Sequence, residues 1–430
     1  MPHASSPLID CRALDESARS LLDRKTRVVG WGTGSVFDYF RQLHPVRLDH
    51  LVDSDHTRWG RLRHGLEVVD PSVLTRHDPA TTFVIIYSSF WPQIQTQLAG
   101  IAPVRSLPAS AVFADAAVRA RLAQAERLSA DIRPPARRDE ADAIVVQGPV
   151  IPDVTERVLR ATRSLYPENL VVLSTWSDTV ADELDPLLAF VDELVVTSRP
   201  EPPGIQNRNC QIVSTRRGIE RARAHGARMV LKTRSDLAVL EPHVFDRARW
   251  WLDRVDDGPA RAAGLQRRLI VPASFTRKYL LYHPSDLVML GTAEDMARYW
   301  NAPLDPRTGT LLAPQWRDRT LSSVNLDGNP TESYLGLQLC RSLGRPVGGT
   351  LQDSWAFYRD LFAVVDNGWF GVLWFKNLSI PDAALQEGVR QTVSQAFWEH
   401  LQTDAPVTVQ DVADIDPAAT TLSELARVAA

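Results

Sequence analysis

Hydrophobic runs in this chain are short, and they alternate with stretches whose apolar residues recur at helical spacing. Residues 28–31, 48–53 and 83–87 are too short for helices and predict strands, with a helix running to Leu43 between the first two. The pattern then repeats. Residues 143–146, 170–174, 193–197 and 229–231 predict a second set of strands, with helices over 153–165, around 187–190 and from Asn207 or Asn209 to near Gly226. Strands separated by helices imply parallel sheets, so the fold class is α/β, with a small Rossmann-like N-terminal domain followed by a second α/β domain. Between them, residues 114–138 predict an exposed helix broken at Pro134–Pro135. The expected divisions are therefore 1–113, a helical linker over 114–141, a main domain over 142–380, and a tail over 381–430. In that tail one amphipathic helix is expected over Leu385–Leu401.

The main domain is organised around residues 207–236. After the short apolar run at Met229–Leu231 come Lys232, Arg234 and Asp236, each two residues apart. That spacing puts all three on one face of an extended chain. Two cations and a carboxylate at the carboxyl end of a strand are costly to bury without a partner, and an anionic ligand supplies one. Other polar strand ends fall on the same predicted rim, at Gln147–Gly148, Thr175–Trp176–Ser177 and Ser198–Arg199. Ligands of open α/β sheets bind at such ends. The ordinary alternative is a solvated ladder on an edge strand.

In the N-terminal domain, Gly30, Gly32 and Ser35 occupy the positions of G-x-G-x-x-G, within the turn Gly30–Gly34. Asp53 ends the next strand, where an acidic residue meets a ribose hydroxyl. Gly30, Gly32, Gly34 and Asp53 are thus candidate contacts for NAD or another nucleotide. A glycine turn also serves simply to bring helix and strand together.

Two motifs in combination, N-x-N-x-Q-I-x-S-T-x-x-G-I at Asn207–Ile219 and L-K-T-R-S-D at Leu231–Asp236, resemble the WavE lipopolysaccharide-synthesis family. The resemblance runs over roughly 142–376. It implies a GT-A-like nucleotide-sugar-binding domain and glycosyl transfer from a nucleotide-sugar donor to a glycan or lipid-linked glycan acceptor. The segments Gly30–Gly34, Val52–Asp55 and Val84–Ser89 resemble Rossmann-like domains appended to sugar-modifying transferases. In this reading Gln147, Gly148, Trp176, Asn209, Gln211, Lys232 and Arg234 bind the donor. Asp236 holds Mg²⁺ or Mn²⁺ on the diphosphate, because hard cations prefer oxygen ligands. The usual D-x-D is absent, since position 234 is Arg, and the two cations are an alternative to the metal.

Glu332 and Asp286 compete for the role of catalytic base. Asp286 is expected to follow an apolar strand, in an S-D-x-x-x-x-G segment that resembles the family's second acidic motif. Glu332 follows a long loop-rich stretch, in P-T-E-S-Y-L, where the family pattern has no Thr331. Asn329 at the N-cap, Pro330 at N1 and Glu332 at N3 also read as an ordinary helix start. Such capping would hold the carboxylate ionised, with a lowered pKa.

Composition narrows the function little. With 430 residues and a net charge of −4, nothing marks a nucleic-acid-binding protein. Cys11, Cys210 and Cys340 are far apart, which fits a reducing compartment and excludes a disulfide scaffold. The first residues lack a signal-peptide pattern and no run of about 18 apolar residues occurs. A cytoplasmic protein without a transmembrane segment is expected, reaching any lipid-linked acceptor by peripheral contact. Two rivals stand beside the transferase: an NAD-dependent nucleotide-sugar oxidoreductase using Gly30–Asp53, and a non-catalytic nucleotide-sensing scaffold of a polysaccharide assembly complex.

Overall fold

The computed structural model describes residues 11–23, 25–88, 90–130, 142–309, 318–376, 378, 392–403, 416, 418–421 and 424. Pro134–Pro135 and the first half of the expected tail helix lie outside them. Within them, the tail helix is Gln395–Leu401. The chain divides into two compact units, one of residues 1–126 with 373–380 and a second of 127–372 with 381–429.

In the first unit the strands are β1 (Arg27–Trp31), β2 (His50–Val52), β3 (Leu62–Arg63), β4 (Leu66–Val69), β5 (Thr82–Ile86) and β6 (Arg105–Pro108). They lie in the order β3-β4-β2-β1-β5-β6, all parallel except β3, which runs against β4. The order reverses between β1 and β5, at Trp31↔Val52 on one side and Trp31↔Ile86 on the other. This is the doubly wound, Rossmann-like arrangement. The predicted strands therefore pair in parallel, as alternation with helices requires.

The second unit carries β7 (Ala143–Gln147), β8 (Leu170–Trp176), β9 (Glu193–Thr197), β10 (Met229–Arg234), β11 (Leu237–Val239), β12 (Leu269–Pro272), β13 (Met289–Thr292) and β14 (Phe362–Val365). Its main sheet has the order β14-β12-β13-β10-β7-β8-β9. β9, β8, β7 and β10 are mutually parallel, whereas β13 runs antiparallel to both β10 and β12. The strands β7 and β8 are buried along their whole length. Near-continuous apolar runs are what a parallel sheet covered on both faces demands. The helix Arg208–Ala224 covers one face, and Gly218 lets it close on the sheet: a Cβ there would overlap the Val145 side chain. Among the described residues no helix is long and apolar enough to cross a membrane.

Residues 279–287 depart from expectation. The apolar run before Asp286 is buried coil, not strand, and Tyr282 has φ +53°. Backbone N–H groups buried in coil need partners, and side chains provide them. Asn325 Oδ1 accepts from Leu281 N at 3.0 Å, Ser354 Oγ from Tyr282 N at 2.8 Å and Tyr358 Oη from His283 N at 2.7 Å. A strand ladder is replaced by three hydroxyl or amide acceptors from distant helices, which no local pattern announces.

Candidate functional site

The parallel half of the second sheet reverses order between β7 and β10, with Gln147 and Arg234 as register partners at their carboxyl ends. A crevice at such a switch point is the expected ligand position in an open α/β sheet. The chain turns sharply there. Ser235 N donates to Gln147 O at 2.9 Å, and Thr233 Oγ1 donates to Leu237 O at 3.0 Å. Gly148 sits opposite with φ +129°, and a Cβ on it would come within 2.7 Å of Ser235 Oγ. Glycine is required there for both reasons.

Within this turn the K-x-R-x-D residues separate into two roles. Arg234 Nε and Nη2 donate to Asp236 Oδ1 and Oδ2 at 2.8 and 3.0 Å, a bidentate fork. The Arg234 side chain remains 27% exposed while that of Asp236 is 4% exposed. Burial opposes the charge on Arg234, but Asp236, then Asp286 and Glu332, hold the guanidinium above its ordinary pKa. Lys232 is fully buried, with Nζ donating to the Asp286 carbonyl and lying 5.0 Å from the Trp300 ring centroid. Burial brings its pKa down to about 8. Lys232 therefore positions the Asp286 segment and adds field; its ammonium is not exposed at the surface.

Asp286 and Glu332 do meet this cluster. Gln211 Nε2, on the Arg208–Ala224 helix, donates to Asp286 Oδ2. Glu332 lies in the first turn of the helix Thr331–Ser342, whose N-cap is Pro330. The expected capping box is corrected in two respects: Asn329 is not the cap, and the carboxyl is not held ionised. Burial and the neighbouring Asp286 raise the Glu332 pKa from 4.5 to about 8, against Arg277 and Arg208. Its Oε2 lies 3.4 Å from His283 Nε2. His283 Nδ1 is 3.0 Å from the Phe275 carbonyl, so Nδ1 carries the hydrogen and Nε2 faces Glu332 with a lone pair. Burial, then Arg277, lowers the His283 pKa to about 4. A neutral imidazole thus faces a protonated carboxyl at neutral pH. What joins them is close backbone packing: a Cβ on Gly336 would overlap the Tyr282 carbonyl oxygen.

Other residues expected to hold the donor are braces. Gln147 Oε1 accepts from Ser214 Oγ at 2.7 Å, and Gln147 is buried. Asn209 ties two loops, donating to Pro202 O at 2.8 Å and Asp305 O at 2.7 Å and accepting from Asp305 N at 2.7 Å. Trp176, at the end of β8, is buried with the Arg199 guanidinium 5.1 Å over its ring. Of the expected donor contacts, Arg234 and Gln211 are the partly exposed side chains beside Asp286, and Gly148 supplies the turn.

Sequence reasoning missed Arg208 and His283. Arg208 is fully buried, donates to the Gly328 and Asn329 carbonyls, and pairs with Asp305 at 3.1 Å. It thereby anchors the turn from which the Glu332 helix starts. Nothing local links His283 to a residue 49 positions on.

A divalent ion at Asp236 does not suit this donor set. Both Asp236 oxygens accept from Arg234, and Asp286 Oδ2 accepts from Gln211. Among the described residues no group of three or more His, Cys, Asp or Glu is placed to hold a metal. Mg²⁺ and Ca²⁺ sites are built from several oxygen ligands.

In the first unit the glycine turn lies at the β1/β5 switch. Gly32 has φ +104°, and a Cβ on it would meet the Tyr87 carbonyl oxygen at 2.7 Å. One on Gly30 would come within 3.0 Å of Leu48 and Leu51, while one on Gly34 would meet nothing within 4 Å. Asp53 Oδ2 accepts from Thr33 N at 2.9 Å, Thr33 Oγ1 at 2.6 Å and Arg58 Nη1 at 3.1 Å, and Oδ1 accepts from Asp55 N at 2.9 Å. The carboxylate at the ribose position is engaged in holding the turn, and two of the three glycines are explained by packing.

No curated protein and no solved structure matches the chain. The family comparison does match, over the segment that carries the switch point, Arg234, Asp236, Asp286 and Glu332: residues 143–340 match the model for WavE lipopolysaccharide synthesis.

Proposed function

We propose that the second unit is a GT-A-like glycosyltransferase that moves a sugar from a nucleoside-diphosphate donor to a glycan acceptor of lipopolysaccharide synthesis. The family match ties the segment to lipopolysaccharide synthesis. The observation that carries the reaction type is the convergence of Arg234, Asp236, Asp286 and Glu332, from three separate parts of the chain, at the carboxyl end of β10. A cation held on a rigid turn suits a diphosphate, and a carboxyl with a raised pKa suits proton transfer at neutral pH. In the reaction the acceptor oxygen bonds to the anomeric carbon as the bond from that carbon to the diphosphate oxygen breaks. The electron pair leaves with the nucleoside diphosphate, and the acceptor proton passes to Glu332 in its ionised form. Glu332 is preferred to Asp286 because its side chain is 20% exposed and Asp286 is held by Gln211.

The test is a panel of UDP, GDP, CMP, dTDP and NAD by thermal shift, followed by release of nucleotide from the matching sugar donor. A nucleotide at 100 times its Kd stabilises the protein by about 2.7 kcal/mol. Binding of NAD alone, with reduction linked to a sugar nucleotide, would replace the transferase by the oxidoreductase. Binding of a nucleotide with no turnover of any sugar donor and acceptor would leave the scaffold.

A further inference from the structure

We propose that the Arg234 guanidinium stands where a divalent cation would otherwise bridge the donor diphosphate, so that this site binds nucleoside diphosphates without metal. The inference rests on the transferase reading and specifies how that site handles charge. Position 234 is where a second carboxylate would complete D-x-D with Asp236, and the chain places a cation there instead. That cation is not loosely tethered. Its fork spans both Asp236 oxygens, the turn between them is pinned by Ser235 N on Gln147 O, and Gly148 closes over Ser235. The Asp236 side chain is 4% exposed, so its fork with Arg234 is formed within the protein, whereas the Arg234 side chain is 27% exposed. Arg also suits phosphate by shape, because its planar donors match two oxygens at once. Lys232, fully buried, adds a second positive charge without reaching the surface. Asp236 is then a positioning residue: it orients the guanidinium and does not bind an ion.

Isothermal titration of the full-length protein with UDP, GDP, CDP, dTDP and pyrophosphate, each in EDTA and in Mn²⁺, decides the matter. The expected result is an affinity for the nucleoside diphosphate that differs by less than about threefold between the two buffers. Arg234→Gln and Asp236→Asn should each lower it about tenfold or more in both buffers. A tenfold loss in EDTA that Mn²⁺ restores in the wild-type protein would overturn the inference and leave the transferase standing. So would a loss in Asp236→Asn confined to the Mn²⁺ buffer, which would make Asp236 a metal ligand. If no nucleoside diphosphate binds in either buffer, the transferase reading fails and the inference falls with it. The wild-type comparison needs no variant, so misfolding of either substitution does not rescue the idea.

Discussion

Replacing Glu332 by Gln separates a protonated buried acid from an ionised helix cap. The carboxyl pKa is raised from 4.5 to about 8, first by burial and then by Asp286, with Arg277 and Arg208 opposing. Lys232 and Arg234 complete the charges around it, and His283 faces it as a neutral ring. A folded-state pKa above the unfolded one means the folded protein binds the extra proton between these two values. The contribution of Glu332 to stability is then fully present below about pH 4.5 and is lost as pH rises towards about 8. At about 1.4 kcal/mol per unit, the loss between about pH 5 and pH 8 is roughly 3 to 4 kcal/mol. Gln cannot ionise, so Glu332→Gln should gain on the wild type by up to that amount as pH rises. Urea unfolding of both proteins at several pH values measures the difference directly. His283 contributes in the opposite sense, since its lowered pKa removes stability as pH falls from 6.5 to about 4, but it is present in both proteins. A difference that is flat across the range, or a variant weaker at pH 7 than at pH 5, would refute the protonated acid and restore the cap.

Three further outcomes follow from the same geometry. Turnover should rise with pH towards about 8 as Glu332 ionises, and Glu332→Gln should lose about 10²-fold or more in kcat without early melting; a pH-rate profile of both shows this. Gly336→Ala should lower the melting temperature, at a cost of about 1–3 kcal/mol or more, because the new methyl meets a backbone carbonyl that cannot yield like a side chain. Asp53→Ala should destabilise the first unit by about 1–3 kcal/mol, since it strips the acceptor from Thr33 and Arg58, and added NAD should not recover the loss in a melting assay.

Local chemistry alone determined much of this protein. Strand positions such as Ala143–Gln147 and Met229–Arg234 follow from short apolar runs, and the positive-φ Gly226 follows from helix-end preference. The spacing of Arg234 and Asp236 marked a charged strand end because each side chain is within reach of the other in sequence. Tertiary structure decided which side charges keep and which charges a ligand can meet. Lys232 and Arg234 are indistinguishable as cations in the sequence, yet the Trp300 ring and the Asp286 carbonyl enclose one and leave the other partly exposed. Glu332 has the local surroundings of a cap, but its protonation depends on desolvation and on Asp286, which arrives from some 50 residues away. The same holds for the coil around Tyr282, whose N–H partners come from Asn325, Ser354 and Tyr358. Hydrophobic periodicity reports which face of an element is covered. It carries no information on which distant polar group does the covering, and in a low-dielectric interior that group sets the charge.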